Sequence, residues 1–210
     1  FRRPLDAADI CRSLLGKQPL LPVAHANLLI ALVAAGAAHE ARLAALAAED
    51  ACPQEAGVLL YAARAANAAG HPDDAIRMLE KAALADARSF PVRLLLAGLY
   101  ATSKGMWQKC LAHGLVGAAL KPEDPDINRI VGEAYLRLGE FGKGFPHYRH
   151  RLKSPRLFRP FERPFAHRTW DGAPLSGKLL VLPEYEQGVG FEILCATLIP
   201  QLEKRGISAV

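Results

Sequence analysis

"AARAANAAGHPDDAIRMLEKA", residues 62–82, is two helix-forming runs hinged on Gly70. Alanine is the strongest helix former, and its small side chain lets neighbouring helices approach closely. Glycine tolerates positive φ, so it ends one helix and permits a tight turn into the next. The arrangement recurs. Glycines at 36, 70, 105 and 139 each separate two helical runs, at spacings of 34, 35 and 34 residues. A second set of markers, Pro19, Pro53, Ala87 and Pro122, is spaced 34, 34 and 35. Proline there closes one helix pair and opens the next. Two independent markers with one period define a helix–turn–helix repeat.

The positions around each glycine agree. Seven residues before come Leu29, Ala63, Gly98 and Gly132; five after come Ala41, Ala75, Cys110 and Gly144. All but Leu29 are small, as a close helix crossing requires, so the first full unit is expected to pack less tightly. With its period, the pattern resembles the tetratricopeptide repeat. The fold class expected is therefore all-α, a tetratricopeptide superhelical solenoid over 1–155. It comprises a half unit at 1–19 and full units at 20–53, 54–87, 88–122 and 123–155. Helix pairs are predicted at 23–35 with 39–50, 56–69 with 72–85, 90–103 with 107–120 and 125–138 with 141–152. Residues 5–16 read as an orphan second helix, whose partner is expected to precede Phe1 in a longer protein.

Composition excludes several classes. The chain is 51% apolar and 22% charged, enough to bury a core and too apolar for disorder. Its longest apolar run, "LLIALVAAGAA" at 28–38, is too short to span a bilayer, and "FRRPLDAADI" is not a signal peptide. Cys11, Cys52, Cys110 and Cys195 are scattered without a CxxC pair, which argues for reduced thiols, a cytoplasmic setting and no metal site. His147 and His150 read as surface residues beside Arg149 and Arg151, and Trp107 as packing. Net charge is +5, yet residues 141–182 hold nine Lys/Arg against Glu162 and Asp171. Prolines at 155, 160 and 164 interrupt this basic stretch, and no nucleic-acid motif accompanies it, so a linker or self-contacting surface is preferred to nucleic-acid binding.

An array of helix pairs offers an inner wall lined by the first helix of each unit, suited to a partner peptide or helix. The candidate wall residues are Asn27, Arg64, Asn67, Arg93, Asn128 and Arg129. The asparagines fall at different offsets from the repeat glycines and form no ladder.

After Pro155 the composition changes. Residues 156–177 form a basic, Pro- and aromatic-rich linker, in which Trp170 is expected to anchor the linker onto the next domain. "KLLVLP" at 178–183 reads as a buried strand, "EYEQGVG" at 184–190 as a loop, and 191–205 as a helix before "ISAV". Residues 178–210 thus read as the first βα unit of an incomplete Rossmann-like α/β domain. The matching residues are Trp170, Asp171, Gly172, Pro174, Leu175, Gly177, Lys178, Glu186, Gln187, Gly188, Gly190, Glu192 and Ile193. This order after a repeat array resembles bacterial proteins in which tetratricopeptide repeats precede a glycosyltransferase-like GT-B domain. Those proteins are similar to O-linked N-acetylglucosamine transferases and heptosyltransferases.

The resemblance implies a loop of Glu186, Gln187, Gly188, Gly190 and Glu192 at an interdomain cleft, with a nucleotide-sugar donor held only by a complete second Rossmann domain. Relatives carry an Asp acceptor base where this chain has Phe191, whose ring takes no proton. The residues alone are therefore expected to catalyse nothing and to need no cofactor. The function expected is a protein-interaction scaffold; the alternative is a glycosyltransferase whose repeats select the acceptor.

Overall fold

The computed structural model describes residues 3–153, together with 178–179, 197, 199–204 and 208–209. It divides into two compact units, Phe1–Arg151 and Leu152–Val210. The first is built of α-helices in antiparallel succession: α1 (Pro4–Lys17), α2 (Pro22–Ala34), α3 (Ala38–Ala51), α4 (Ala56–Ala68), α5 (Pro72–Ala85), α6 (Phe90–Leu99), α7 (Trp107–Leu120), α8 (Pro125–Arg137) and α9 (Phe141–Tyr148). Prolines open α1, α2, α5 and α8, where a missing N–H costs nothing. After each repeat's first helix the glycine adopts φ of +70°, +81°, +58° or +80°. The following N–H then reaches back to close the turn: Ala37 to Leu32, His71 to Ala66 and Glu140 to Tyr135, at 2.9–3.0 Å.

The third unit closes one residue late. Met106 N–H donates to Tyr100, a span of six residues instead of five, and Tyr100–Lys104 form a π-helical turn at the end of α6. The turn absorbs the residue that makes one glycine spacing 35 instead of 34. It also shifts the frame. Counting back seven from Gly105 selects Gly98, but the buried position equivalent to Ala63 is Ala97, at 0% exposure. Gly98 is half-exposed instead.

The helix positions set which small residues matter. A Cβ on Gly132 would lie 2.3 Å from Tyr148 N, and one on Gly144 would lie 2.7 Å from Leu136 Cδ2. In unit four, α8 and α9 therefore cross at glycine distance. Leu29 is fully buried in unit one, where α2 and α3 pack less extensively than the helix pairs of the other units. The last helix is shorter than the predicted 141–152. Pro146 removes an intrahelical donor, and the chain tightens after Tyr148 into a 3₁₀ turn, Arg149–Lys153.

In the second unit the described residues form β1 (Lys178–Leu179), α10 (Ile199–Lys204) and β2 (Ser208–Ala209), with β1 and β2 parallel and Lys178 opposite Ser208. Strands ordinarily run 3–10 residues. A two-residue ladder is too short to establish the Rossmann-like unit expected over 178–210, so the fold established is the helical solenoid. The linker at 156–177 and the loop residues Glu186, Gln187, Gly188, Gly190 and Glu192 lie outside the described residues, as do Trp170 and Phe191.

Candidate partner-binding face

The first helices of the units, α2, α4, α6 and α8, form one side of the array. Along it α2 packs on α4 and α6 touches α8, whereas α4 and α6 make hardly any contact. Once the π turn is allowed for, Ile30, Arg64, Gly98 and Glu133 occupy one repeat position on this side, and Val33, Asn67, Ala101 and Leu136 another.

The six predicted wall residues separate into two groups. Asn27, Arg64 and Asn67 are exposed on α2 and α4, and Arg64 lies over the Tyr61 ring at 5.7 Å from its centroid. The other three are tied into the structure. Asn128 is 2% exposed; its amide donates to the Pro122 and Asp124 carbonyls at 2.7 and 2.9 Å, and its Oδ1 accepts from His147 Nδ1 at 2.7 Å. Arg93 donates to the Ala87 carbonyl through Nε and Nη2, to Ala83 at 3.4 Å, and to His113 Nδ1 at 2.9 Å. Arg129 is held by Glu133 at 3.1 Å, and its Nε is buried without a hydrogen-bond partner. Asn128 and Arg93 are thus struts, because each satisfies carbonyls left open where one helix pair hands over to the next.

Arg93 and Asn128 stand in the same repeat position, six residues after Ala87 and Pro122. His25 stands there in unit one and bonds the Pro19 carbonyl at 2.7 Å; unit two has Leu59. Units three and four share more. His113 stacks on Tyr100 and His147 on Tyr135, at centroid distances of 5.7 and 6.0 Å. Lys109 and Lys143 lie over the same two tyrosines, at 5.2 and 5.8 Å. A Lys–Tyr–His–polar set is therefore built twice. His147 is not the surface residue the sequence indicated, since its neighbours give it both a hydrogen bond and a stacking partner.

Both imidazoles are harder to protonate than a free one. Burial, then the Arg93 charge, pushes His113 below the usual imidazole range against the pull of Glu80. Burial, then His150, does the same to His147. Arg93 can only donate, so His113 Nδ1 must accept and its proton sits on Nε2. Tyr100 donates its hydroxyl to Glu80 of α5, and burial with that bond raises its pKa.

On the opposite side the second helices are joined by ion pairs. Glu49, at 3% side-chain exposure, meets Arg77 and, at 2.7 Å, Lys81; Asp74 meets Arg42 and Arg77, both at 3.2 Å. Burial alone would lift the Asp74 carboxyl, but the bonds from Arg42 and Arg77 hold it below its usual range. Cys11, Cys52 and Cys110 are buried free thiols, and burial followed by Glu133 pushes Cys110 up to about 11. Among the described residues no group of three or more His, Cys, Asp or Glu could hold a metal, and no helix is long and apolar enough to cross a membrane.

No protein-family profile and no curated protein matches the chain. Solved structures do. MamA of MSR-1 superposes with a TM-score of 0.60 at 18% identity, over 72% of this chain and 86% of its own. MamA from Desulfovibrio magneticus RS-1 gives 0.61 at 16%, over 73% and 86%. A thermophilic TPR protein of Thermus thermophilus gives 0.53 at 22%, over 72% and 82%. The shared fold is a tetratricopeptide-type solenoid. At these identities the likeness is one of architecture.

Proposed function

We propose that this chain is a protein-interaction scaffold that recruits a partner peptide or helix along the face formed by α2, α4, α6 and α8. The observation that carries the reading is the mixture of exposed groups there. Val23 and Val33 on α2 are 66% and 39% exposed, and Arg64 and Asn67 on α4 have no polar side-chain partner among the described residues. An apolar patch beside free donors is the mixture that fixes a bound segment in place and register. The three buried thiols suit a reducing, cytoplasmic setting. Photo-crosslinking residues placed at Val33, Arg64 and Thr102 test it. They should capture one common partner segment from the host lysate, while the same probe at Leu43 or Leu84 on the second helices should not. Equal capture from both sides would refute the assignment.

A second reading extends the first. We infer that 1–155 is the recruiting array, 156–177 a linker and 178–210 the start of a glycosyltransferase-like α/β domain. Supporting it are the Trp170–Ile193 motif and a parallel β1–β2 pairing that brackets α10. A chain extended through two complete Rossmann domains would then bind a nucleotide-sugar, and calorimetry with the common donors checks this. Heat only from the extended chain supports the reading; no heat from any donor removes it.

A further inference from the structure

The crossing of α5 and α6 carries an inference that goes beyond the scaffold reading: we propose that it is an acid-operated hinge, in which a proton on His113 releases Arg93 and lets α1–α5 pivot against α6–α9. Of the successive helix pairs from α1 to α9, α5 and α6 pack on each other least, and α4 adds hardly any contact with α6. Side chains from α6 and its π turn reach back across this crossing. Arg93 Nη2 donates to the Ala83 carbonyl of α5 at 3.4 Å, and the Tyr100 hydroxyl donates to Glu80 of the same helix. His113 of α7 touches both. Its Nδ1 accepts from Arg93 Nη1 at 2.9 Å, and its ring stacks on Tyr100 at 5.7 Å between centroids and 19° between planes. One titratable side chain therefore holds two groups that span the thinnest of these helix contacts.

The bond to Arg93 exists in only one protonation state. A guanidinium cannot accept, so His113 Nδ1 must carry a lone pair. A proton there turns the acceptor into a donor and leaves two cations at hydrogen-bond distance. The groups around the ring set when this happens. Arg93 from α6 and Lys109 from α7 itself oppose the second charge, Glu80 from α5 favours it, and burial keeps Tyr100 of the π turn protonated. Burial and Arg93 outweigh Glu80, so the hinge stays closed through the usual imidazole range and opens only below it. The imidazolium is then drawn toward Glu80, the acceptor of the Tyr100 hydroxyl, and both spanning bonds are disturbed together. Unit four supplies the contrast. His147 donates to Asn128, tying α9 to α8 alone, so a second proton on it releases no bond and no crossing between the halves.

The test reads the distance between nitroxides attached through p-acetylphenylalanine at Leu43 on α3 and Leu115 on α7, both exposed, by double electron–electron resonance. Between pH 7 and about pH 4.5 the distance distribution should widen at least about two-fold, while far-ultraviolet circular dichroism keeps its helical signal. His113→Gln leaves an oxygen that accepts from Arg93 but does not titrate, so its distribution should stay narrow at every pH. His147→Gln should widen as the unaltered chain does. A distribution that does not respond to acid overturns the proposal. So does one that widens equally in His113→Gln, one that stays narrow in His147→Gln, or one that widens only as the helical signal is lost.

Discussion

Units one and two differ from units three and four in how their helices are joined. The first half is an alanine core: Ala62, Ala63, Ala65, Ala66, Ala75 and Ala82 are all at 0% exposure, and its second helices are strapped together by the ion pairs around Glu49 and Asp74. The second half replaces part of that with aromatic and polar side chains: Tyr100, His113 and Arg93, then Tyr135, His147 and Asn128. The junction between the halves shows why. There α5 packs on α6 less extensively than α1 on α2, α3 on α4 or α7 on α8. What spans it is directional: Arg93 to the Ala83 carbonyl and Tyr100 to Glu80. Where apolar contact is thin, hydrogen bonds fix the register.

The sharpest way to break this comparison is to delete one residue from each half. Removing Asn67 from α4 rotates every residue on one side of the cut by about 100° relative to the other. The apolar stripe is lost, and cooperative unfolding of that half is expected in circular dichroism. Removing Ser103 takes one residue out of the π turn and returns unit three to the 34-residue period. That variant should keep a two-state melt, with stability changed by only about 1 kcal/mol. Equal damage from both deletions would mean that the π turn is not the site of the extra residue.

Next in size is the glycine crossing. Gly132→Ala drives a methyl into the Tyr148 backbone and should cost about 3 kcal/mol in urea denaturation. The reverse change at the corresponding crossing of unit two, Ala63→Gly, loses mainly helix propensity and a methyl contact, about 1–2 kcal/mol. A smaller loss for Gly132→Ala than for Ala63→Gly would contradict the closer crossing in unit four.

Acid should separate the halves more gently. His113 and His147 have folded pKa values below those of the unfolded chain, so the unfolded state binds protons first as pH falls. Their contribution is intact above the usual imidazole range and is lost as pH drops through the lowered values. Hydrogen exchange between pH 7 and pH 5 should therefore show α6–α9 losing protection before α3–α5. His113 faces Arg93, Tyr100, Lys109 and Glu80, and a second proton on it would meet Arg93 head-on. His147 already donates from Nδ1, so its protonation breaks no bond and costs desolvation plus repulsion from His150. His113→Gln should thus blunt the acid effect more than His147→Gln.

Much of this architecture was legible because the repeat is punctuated by residues with one backbone role. Gly36, Gly70, Gly105 and Gly139 need positive φ, and they marked every turn between first and second helices. The shifted frame in unit three was not legible from glycine alone: a spacing of 35 shows that a residue was added, not where. Only the Ala87 marker, counted with Gly105, confines it to the first helix. Two of the candidate wall residues were hard to read for a different reason. Asn128 and Arg93 look like free surface residues when read singly, and what ties them down includes partners 19 and 20 positions away. A signal existed nonetheless, since Lys109 with His113 and Lys143 with His147 repeat the same pair 34 residues apart.

The smallest expected effect tests how the two halves begin their helices. Most helices here start without a side-chain cap, and several rely on an N-terminal proline instead. Among the described helices only α8 has both, since Asp124 Oδ1 accepts from Asp126 N–H at 3.1 Å and from Ile127 N–H at 3.0 Å. Its carboxylate also faces the positive end of the helix dipole. Asp124→Ala should therefore cost about 1 kcal/mol, as the loss of a single cap does. The effect is not confined to α8. The Asp124 carbonyl and the nearby Pro122 carbonyl hold the Asn128 amide, and Asn128 in turn orients His147. If the cap sets that geometry, Asp124→Ala should also shift the His147 ring resonances in NMR, while those of His113, seated one repeat earlier on Arg93, stay in place. Loss of stability without any His147 shift would show that the cap supports the helix alone, and that the polar set of unit four is held by the loop carbonyls.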